Sequence, residues 1–245
     1  DDLGEEVGGE GDDWIREDVS DEEQALAVAY RAAPDLEEKL NAILQHFVGT
    51  RNYHNFTSGK APSDASAKRF VTAFRTGGIC CINGREYVSL KVDGQSFMIH
   101  QIRKMVGLVA YIMRFNKDPD TIFKTAFSHA KLSIPIAPSI GLLLDRVLYT
   151  AYNEKNTHVK PLDLASSEDA LASFKQTCVM AEVEKREREE GHTISWLKEL
   201  TKHKRSWFTA TSKVADHNAK KGKAGKAVDG DASGGVGTES AHDGS

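Results

Sequence analysis

The side chains in this sequence that are best suited to chemistry lie on one side of a predicted helix near residue 100. His100, Arg103 and Lys104 follow helical spacing, which places a guanidinium and an ammonium within about one turn of each other. Two cations held in this way can bind or neutralise an anion beside a rigid support. The alternative is that both cations only solvate an amphipathic helix, which is the usual role of a charged helix face.

The elements that position these cations can be read from changes in apolar spacing. From Glu86 to Val92 apolar and polar residues alternate, which predicts a strand, and the period then changes to that of a helix over 95–115. Asn83 and Gly84, flanked by apolar alternation, predict a tight hairpin between strands at 79–82 and 86–92. Further apolar spacing predicts a closing strand over 146–152 and helices over 35–47, 64–75, 118–126, 166–190 and 192–202.

The order of these elements predicts an α+β fold class, with a small mixed or antiparallel sheet, helices packed on one of its faces, and disordered tails at both ends. An acidic, mostly disordered segment is predicted over 1–34 and a folded unit over 35–160. A helical extension over 161–205 and a disordered basic, Gly-rich tail over 206–245 follow. No run of about twenty apolar residues is present, so we expect no membrane partner.

Basic residues are concentrated in the middle of the chain, although the net charge of the whole is −4. Between Arg51 and Lys117 there are eleven Lys or Arg residues against three Asp or Glu residues. A basic middle flanked by acidic sequence is what a phosphate-binding surface requires. The distribution of charge therefore favours a nucleic-acid partner more than the net charge does.

Four segments of the chain occur in an order that carries a resemblance. They are Phe47–Thr57, Ser66–Phe70, Gly94–Gly107 and Pro135–Tyr149. In the same order they resemble motifs of the TruA-type tRNA pseudouridine synthases, in particular the eukaryotic tRNA pseudouridine synthase 1 branch. One such motif alone would be unspecific, whereas four in order are specific. The resemblance implies that residues 35–160 form the C-terminal half of a pseudouridine synthase catalytic domain.

The resemblance also implies an activity: isomerisation of uridine to pseudouridine in tRNA, and also in other RNAs, without cofactor or metal. Arg103 would pair with the nucleophilic aspartate of the family, because a carboxylate that stays ionised in a partly dry cleft needs a cation beside it. Leu142, Leu143 and Leu144 would line the uracil pocket, although core packing explains these leucines equally well. The candidate RNA-binding residues are Arg51, Lys60, Lys68, Arg69, His100 and Lys104.

The nucleophilic aspartate itself is missing. No Arg-Thr-Asp-Lys-Gly-Val-His loop occurs, the nearest string has Gly77 in place of the aspartate, and Asp64 and Asp93 lie in other contexts. We therefore expect the second half of a longer enzyme, inactive alone, whose partner is the N-terminal half and whose location is the nucleus or the mitochondrion. The alternative is a non-catalytic RNA-binding protein derived from the family, and a third reading is a partner-binding scaffold.

Overall fold

The computed structural model describes residues 18–164 and 167–202. The eleven helices and strands that the following paragraphs use are α1 (Asp21–Ala29), α2 (Leu36–Gln45), β1 (Gly49–Asn52), β2 (Lys68–Ile82), β3 (Arg85–Gly94), α3 (Gln101–Arg114), α4 (Pro119–Ala126), α5 (Thr150–Lys155), α6 (Glu168–Phe174), α7 (Ala181–Glu190) and α8 (His192–Lys202). Short 3-10 turns cover His54–Phe56 and Ala65–Ala67, and a π-helical turn covers Lys175–Met180.

The three strands form one antiparallel sheet in the order β1-β2-β3. Asn83 and Gly84 connect β2 to β3, and both have positive φ angles, 49° and 83°. Positive φ at both central residues is the requirement of the tight turn whose twist matches the strands. The predicted hairpin and the α+β fold class are therefore confirmed.

The main core lies on one face of this sheet, where α2 and α3 pack against β2 and β3. Phe74 pairs with Val92 and Thr76 pairs with Leu90, so these side chains share the covered face. Tyr53 and Phe56 are fully buried in this core. Other buried members are Leu40, Ile43, Leu44, Phe47, Val71, Met105, Leu108, Val109 and Ile112. The predicted helices over 35–47 and 118–126 are confirmed as α2 and α4.

The helix predicted over 64–75 is wrong, because these residues form a 3-10 turn and then the long strand β2. Val71 and Phe74 are both buried, and their spacing of three imitates a helix. In a regular strand they would face opposite sides of the sheet. A register shift between Val71 and Ala73 inserts a bulge that returns Phe74 to the covered face.

Helix α3 begins at Gln101, six residues later than the predicted start at Gln95. His100 precedes it in the left-handed backbone conformation with φ of 60°. The side chain of Gln101 is fully buried, and its Oε1 accepts a hydrogen bond of 2.9 Å from the Met98 backbone N–H. This hydrogen bond satisfies a backbone donor just before the helix and fixes the turn that precedes Gln101. The apolar spacing gave no sign of this turn, because it continues the helical pattern back to residue 95.

The closing strand predicted over 146–152 is also wrong. Residues 142–149 have no regular secondary structure, and α5 begins at Thr150. Leu144 and Leu148 remain 80% and 64% exposed. An apolar strand gains stability only by pairing and by burial, and within residues 18–164 and 167–202 no strand pairs with this segment.

The N-terminal end of the described chain contains more helix than the sequence predicts. The segment 1–34 was expected to be mostly disordered, but α1 lies within it and begins with a capping box between Ser20 and Glu23. Helices α6 to α8 form the extension, in the regions predicted to be helical. Residues 1–17 and 203–245, and with them the predicted basic tail, lie outside the described residues. Of the helices that are described, none has both the length and the apolar character needed to span a membrane.

A close approach between α3 and the segment that follows α4 has a consequence for stability. A Cβ atom at Gly107 would lie 2.0 Å from the Pro135 carbonyl oxygen and 2.8 Å from its carbon. Backbone atoms cannot move aside as the end of a flexible side chain can. Only glycine therefore lets α3 lie against this segment.

We predict that Gly107→Ala lowers the free energy of unfolding by about 3 kcal/mol, at the upper end of overpacking costs, because the backbone has to separate. Urea denaturation followed by circular dichroism measures the change. Gly141→Ala is the matched control, since nothing lies within 4 Å of a Cβ built there. Equal stability of the two variants would contradict the close approach.

Candidate functional site

Arg103 lies in the first turn of α3, half-buried, and it is held by the backbone of Ala137. The Arg103 Nε donates a hydrogen bond of 2.6 Å to the Ala137 carbonyl oxygen. In return, the Ala137 backbone N–H donates to the Arg103 carbonyl oxygen over 3.2 Å. Ala137 itself is 5% exposed, so its backbone is fixed within the protein. The guanidinium therefore has a defined direction, unlike that of a freely solvated arginine.

Lys104, the neighbouring cation, has a different use. Its Nζ lies 3.3 Å from the Thr57 carbonyl oxygen and 3.5 Å from that of Asn55. These carbonyls belong to the His54–Phe56 turn and to the residue after it. The ammonium of Lys104 thus attaches α3 to this turn. Arg103 and Lys104, which were predicted to bind an anion together, therefore contact different parts of the protein.

Asn55 joins the same turn to the loop after α4, although the sequence analysis did not single it out. Its Nδ2 donates to the carbonyl oxygens of Ala126 and Ala130, each over 2.9 Å. Its Oδ1 accepts from the Leu132 backbone N–H, also over 2.9 Å. The side chain is 3% exposed, so these three bonds satisfy groups that water does not reach. The loop that leads to Ala137 is held in place by this amide.

The basic residues Arg51, Lys68 and Arg69 come together where β1 pairs with β2. Arg51 and Arg69 stand directly opposite each other in the antiparallel register, and Asn52 stands opposite Lys68. Two like charges in opposite positions repel each other, so this arrangement costs stability unless an anion lies between them. The Arg51 guanidinium also lies 5.8 Å from the centre of the Phe127 ring, which restricts its position.

Local contacts hold Arg69 and Lys60 in place. The Arg69 guanidinium donates to the carbonyl oxygens of Ser66 and Lys68 over 2.6 Å and 2.8 Å. Lys60 Nζ donates to Ser66 Oγ over 2.7 Å and lies 3.1 Å from an Asp64 carboxylate oxygen. Hydrogen bonds from Ser66, and then Lys60, lower the pKa of Asp64 to about 2. Asp64 is thus the ionised cap of a short turn, and Lys60 is largely engaged in that turn.

The structure does not bring every predicted site residue to one place. Leu142, Leu143 and Leu144 are 50%, 41% and 80% exposed, and the strand that was expected to carry them does not form. His100 ends the turn before α3 and is half-buried. A uracil-pocket role for the leucines and an RNA contact for His100 stay predictions. The described geometry supports two arrangements as parts of a site. One is Arg103 with Ala137, and the other is Arg51 with Arg69.

Comparisons with known proteins match a part of this chain to a family. Residues 43–150 match a family model described as tRNA pseudouridine synthase. The chain is 36% identical to Pseudouridylate synthase 1 homolog of Homo sapiens over 202 residues, which cover 81% of this chain and 45% of the human protein. It is 44% identical to tRNA pseudouridine synthase 1 of Yarrowia lipolytica over 126 residues, which cover 51% of this chain and 24% of that protein.

Residues 43–150 of the chain therefore match the tRNA pseudouridine synthase family. That region contains both arrangements, Arg103 with Ala137 and Arg51 with Arg69. The chain spans about half the length of the human and mouse relatives that it matches, 45% and 47%, and less of the fungal ones. The family recognised from the four ordered motifs is confirmed.

Truncating Asn55 tests its part in holding the site. We predict that Asn55→Ala lowers the free energy of unfolding by about 3 kcal/mol, because a buried N–H and buried carbonyls lose their partners. Asn153→Ala is the control, since the Asn153 amide also bonds backbone groups, at Leu162, but in an exposed position. There the loss should stay below about 1 kcal/mol, since water replaces the partner. Equal losses in chemical denaturation would show that Asn55 does not hold the loop.

Proposed function

We propose that this chain forms the second catalytic half of a tRNA pseudouridine synthase, which isomerises uridine to pseudouridine in RNA. The observation that carries the proposal is the half-buried Arg103, fixed by the backbone of Ala137 within the region that matches the family. A directed guanidinium can hold a carboxylate ionised and oriented, which an acid at the glycosidic carbon requires. The names of the relatives, tRNA pseudouridine synthase 1 and Pseudouridylate synthase 1 homolog, support this activity.

The proposed reaction needs no external reagent. The target uridine leaves the base stack and enters a pocket. The bond between the ribose C1′ and the uracil N1 breaks with the help of an aspartate, the uracil turns, and a bond forms between C1′ and C5. The proton on C5 is then lost to solvent and N1 gains one, so the atoms balance. Arg103 would keep the aspartate charged throughout.

The aspartate would come from the first catalytic half, which is the proposed partner of this chain. An exposed apolar segment supports such a partner, because Leu142, Leu144 and Leu148 are each at least half exposed and belong to no strand. Contiguous exposed apolar side chains mark surfaces that another part of a protein covers. We propose that this chain is inactive alone and that its activity depends on the first half.

The proposed RNA contact is the edge of the sheet, where Arg51 and Arg69 oppose each other. An RNA phosphate between the two guanidinium groups would remove their repulsion and use their hydrogen-bond donors. Lys68 is exposed, but it precedes Arg69 on β2 and so lies on the opposite face of the sheet, where it would contact a different part of the RNA backbone. This surface lies entirely within the present chain, so it does not require a first catalytic half. It therefore also supports the second candidate function, a non-catalytic RNA-binding protein.

Binding to tRNA tests the sheet edge. We predict that the double variant Arg51→Ala, Arg69→Ala binds tRNA about tenfold more weakly at 0.1 M salt, and that the slope of log affinity against log salt falls by about 1 to 2. Fluorescence anisotropy measures both quantities. Lys39→Ala, Lys185→Ala is the charge-matched control, because both lysines are exposed on helices, and the helix of Lys185 bonds Asn83 at the other end of β2. Equal tRNA affinity of the two double variants would show that binding depends on net charge alone, and would contradict the proposed contact at the sheet edge.

Tritium release from tRNA labelled at uracil C5 tests the activity. We predict no release by this chain alone, and release when the chain is joined to the first-half segment of the human relative. In the joined protein, Arg103→Lys should lower kcat at least a hundredfold with little change in tRNA affinity, because the ammonium cannot direct a carboxylate bidentately.

Arg75→Lys is the control for this substitution, since Arg75 is exposed on β2 and bonds Asp93. It should leave kcat unchanged. Release by the present chain alone would contradict the proposed dependence on a first half. Full activity of the joined Arg103→Lys protein would contradict the role of the guanidinium.

A further inference from the structure

The backbone of Ala137 connects Arg103 to the last described helix. Both polar backbone groups of Ala137 bond Arg103, at 2.6 Å and 3.2 Å. Its side chain belongs to a second buried cluster, separate from the main core. That cluster contains Tyr111 of α3 and Trp196 and Leu200 of α8, which are 2%, 7% and 1% exposed. Ala137 therefore contacts Arg103 through its backbone and the residues of α8 through its side chain.

The segment that carries Ala137 is tightly confined on the side of α3. The Pro135 carbonyl occupies the space that a side chain at position 107 would fill. The two hydrogen bonds to Arg103 lie one helical turn earlier on the same helix. Residues 135–137 therefore cannot move closer to α3. The buried side chains of Trp196 and Leu200 cluster with Ala137 and confine it further.

Helix α8 has its own anchors, independent of Ala137. The Glu187 carboxylate accepts hydrogen bonds of 3.0 Å from both the backbone N–H and the hydroxyl of Thr193, in the first turn of α8. Lys198 lies 2.7 Å from Glu23, and Arg114 Nε donates to Thr201 Oγ1 over 2.8 Å. Helix α8 is thus fixed at its start, its middle and its end.

We infer that α8 is a positioning element for Arg103, acting through Trp196, Leu200 and the backbone of Ala137. Residues 192–202 lie beyond the region 43–150 that matches the family model. The extension therefore acts on the guanidinium through packing against Ala137. The catalytic consequence rests on the proposed function, whereas the coupling of α8 to Arg103 is a property of this chain alone.

Nitrogen-15 NMR of the arginine Nε–H groups tests the coupling in the present chain. The hydrogen bond to Ala137 protects the Arg103 Nε–H from exchange with water, and the signal is assigned by its loss in Arg103→Lys. Trp196→Ala should raise the exchange rate of this one signal about tenfold, the size expected when a single hydrogen bond is lost. Trp196→Phe, which keeps an aromatic ring in the cluster, should restore most of the protection.

A variant in the main core separates positioning from general loss of stability. Leu44 is fully buried but belongs to the main core, so Leu44→Ala should destabilise the chain and leave the Arg103 signal unchanged. Equal exchange rates in Trp196→Ala and Leu44→Ala would overturn the inference. If Trp196→Ala does not fold, Leu200→Ala and Trp196→Leu carry the same comparison.

The joined protein then shows whether the coupling matters for catalysis. Trp196→Ala should lower kcat about tenfold, in proportion to the lost protection, while KM for tRNA stays within about twofold. One outcome is that Trp196→Ala raises the exchange rate of the Arg103 signal but the unsubstituted joined protein forms no pseudouridine. This outcome would support the inference and refute the proposed function. Protection that does not change in Trp196→Ala would refute the inference and leave the proposed function standing.

Discussion

The reciprocal pair of hydrogen bonds between Arg103 and Ala137 is the constraint on which the rest of the structure depends. It converts a flexible arginine on an amphipathic helix into a directed group. The pair forms only because Gly107 lets the chain at Pro135 touch α3, and because Asn55 fixes the loop that leads there. The position of the Arg103 guanidinium therefore depends on two uncharged features: the close backbone approach at Gly107 and the buried amide of Asn55.

The sequence predicts those parts of the fold that depend on local patterns. The Asn83-Gly84 hairpin and α2 follow from turn chemistry and from helical apolar spacing, which neighbouring residues alone determine. The part of β2 before Ile79 could not be predicted, because a bulge gives Val71 and Phe74 helical spacing inside a strand. The closing strand over 146–152 could not be judged from its own residues, because a strand forms only with a partner strand beside it.

The candidate site divides in a similar way. The family motifs led to Arg103, and the basic middle of the sequence led to Arg51 and Arg69, because charge and motif are visible in the residues themselves. Lys104 and Lys60 were expected at an RNA surface but bind carbonyl and carboxylate oxygens of nearby turns. The contribution of Ala137 was not predictable, since a backbone carbonyl has no sequence signature. Asn55 was equally hidden among polar residues of a motif.

The match of residues 43–150 to the tRNA pseudouridine synthase family makes this fixed guanidinium the proposed counter-ion of an acid from another stretch of polypeptide. The most direct test is a crystal structure of the chain joined to a first catalytic half, with tRNA bound. Our account predicts an aspartate carboxylate in bidentate contact with Arg103, at the ordinary distance of such pairs, about 2.8 Å. An Arg103 guanidinium that faces solvent, with the acid elsewhere, would contradict it.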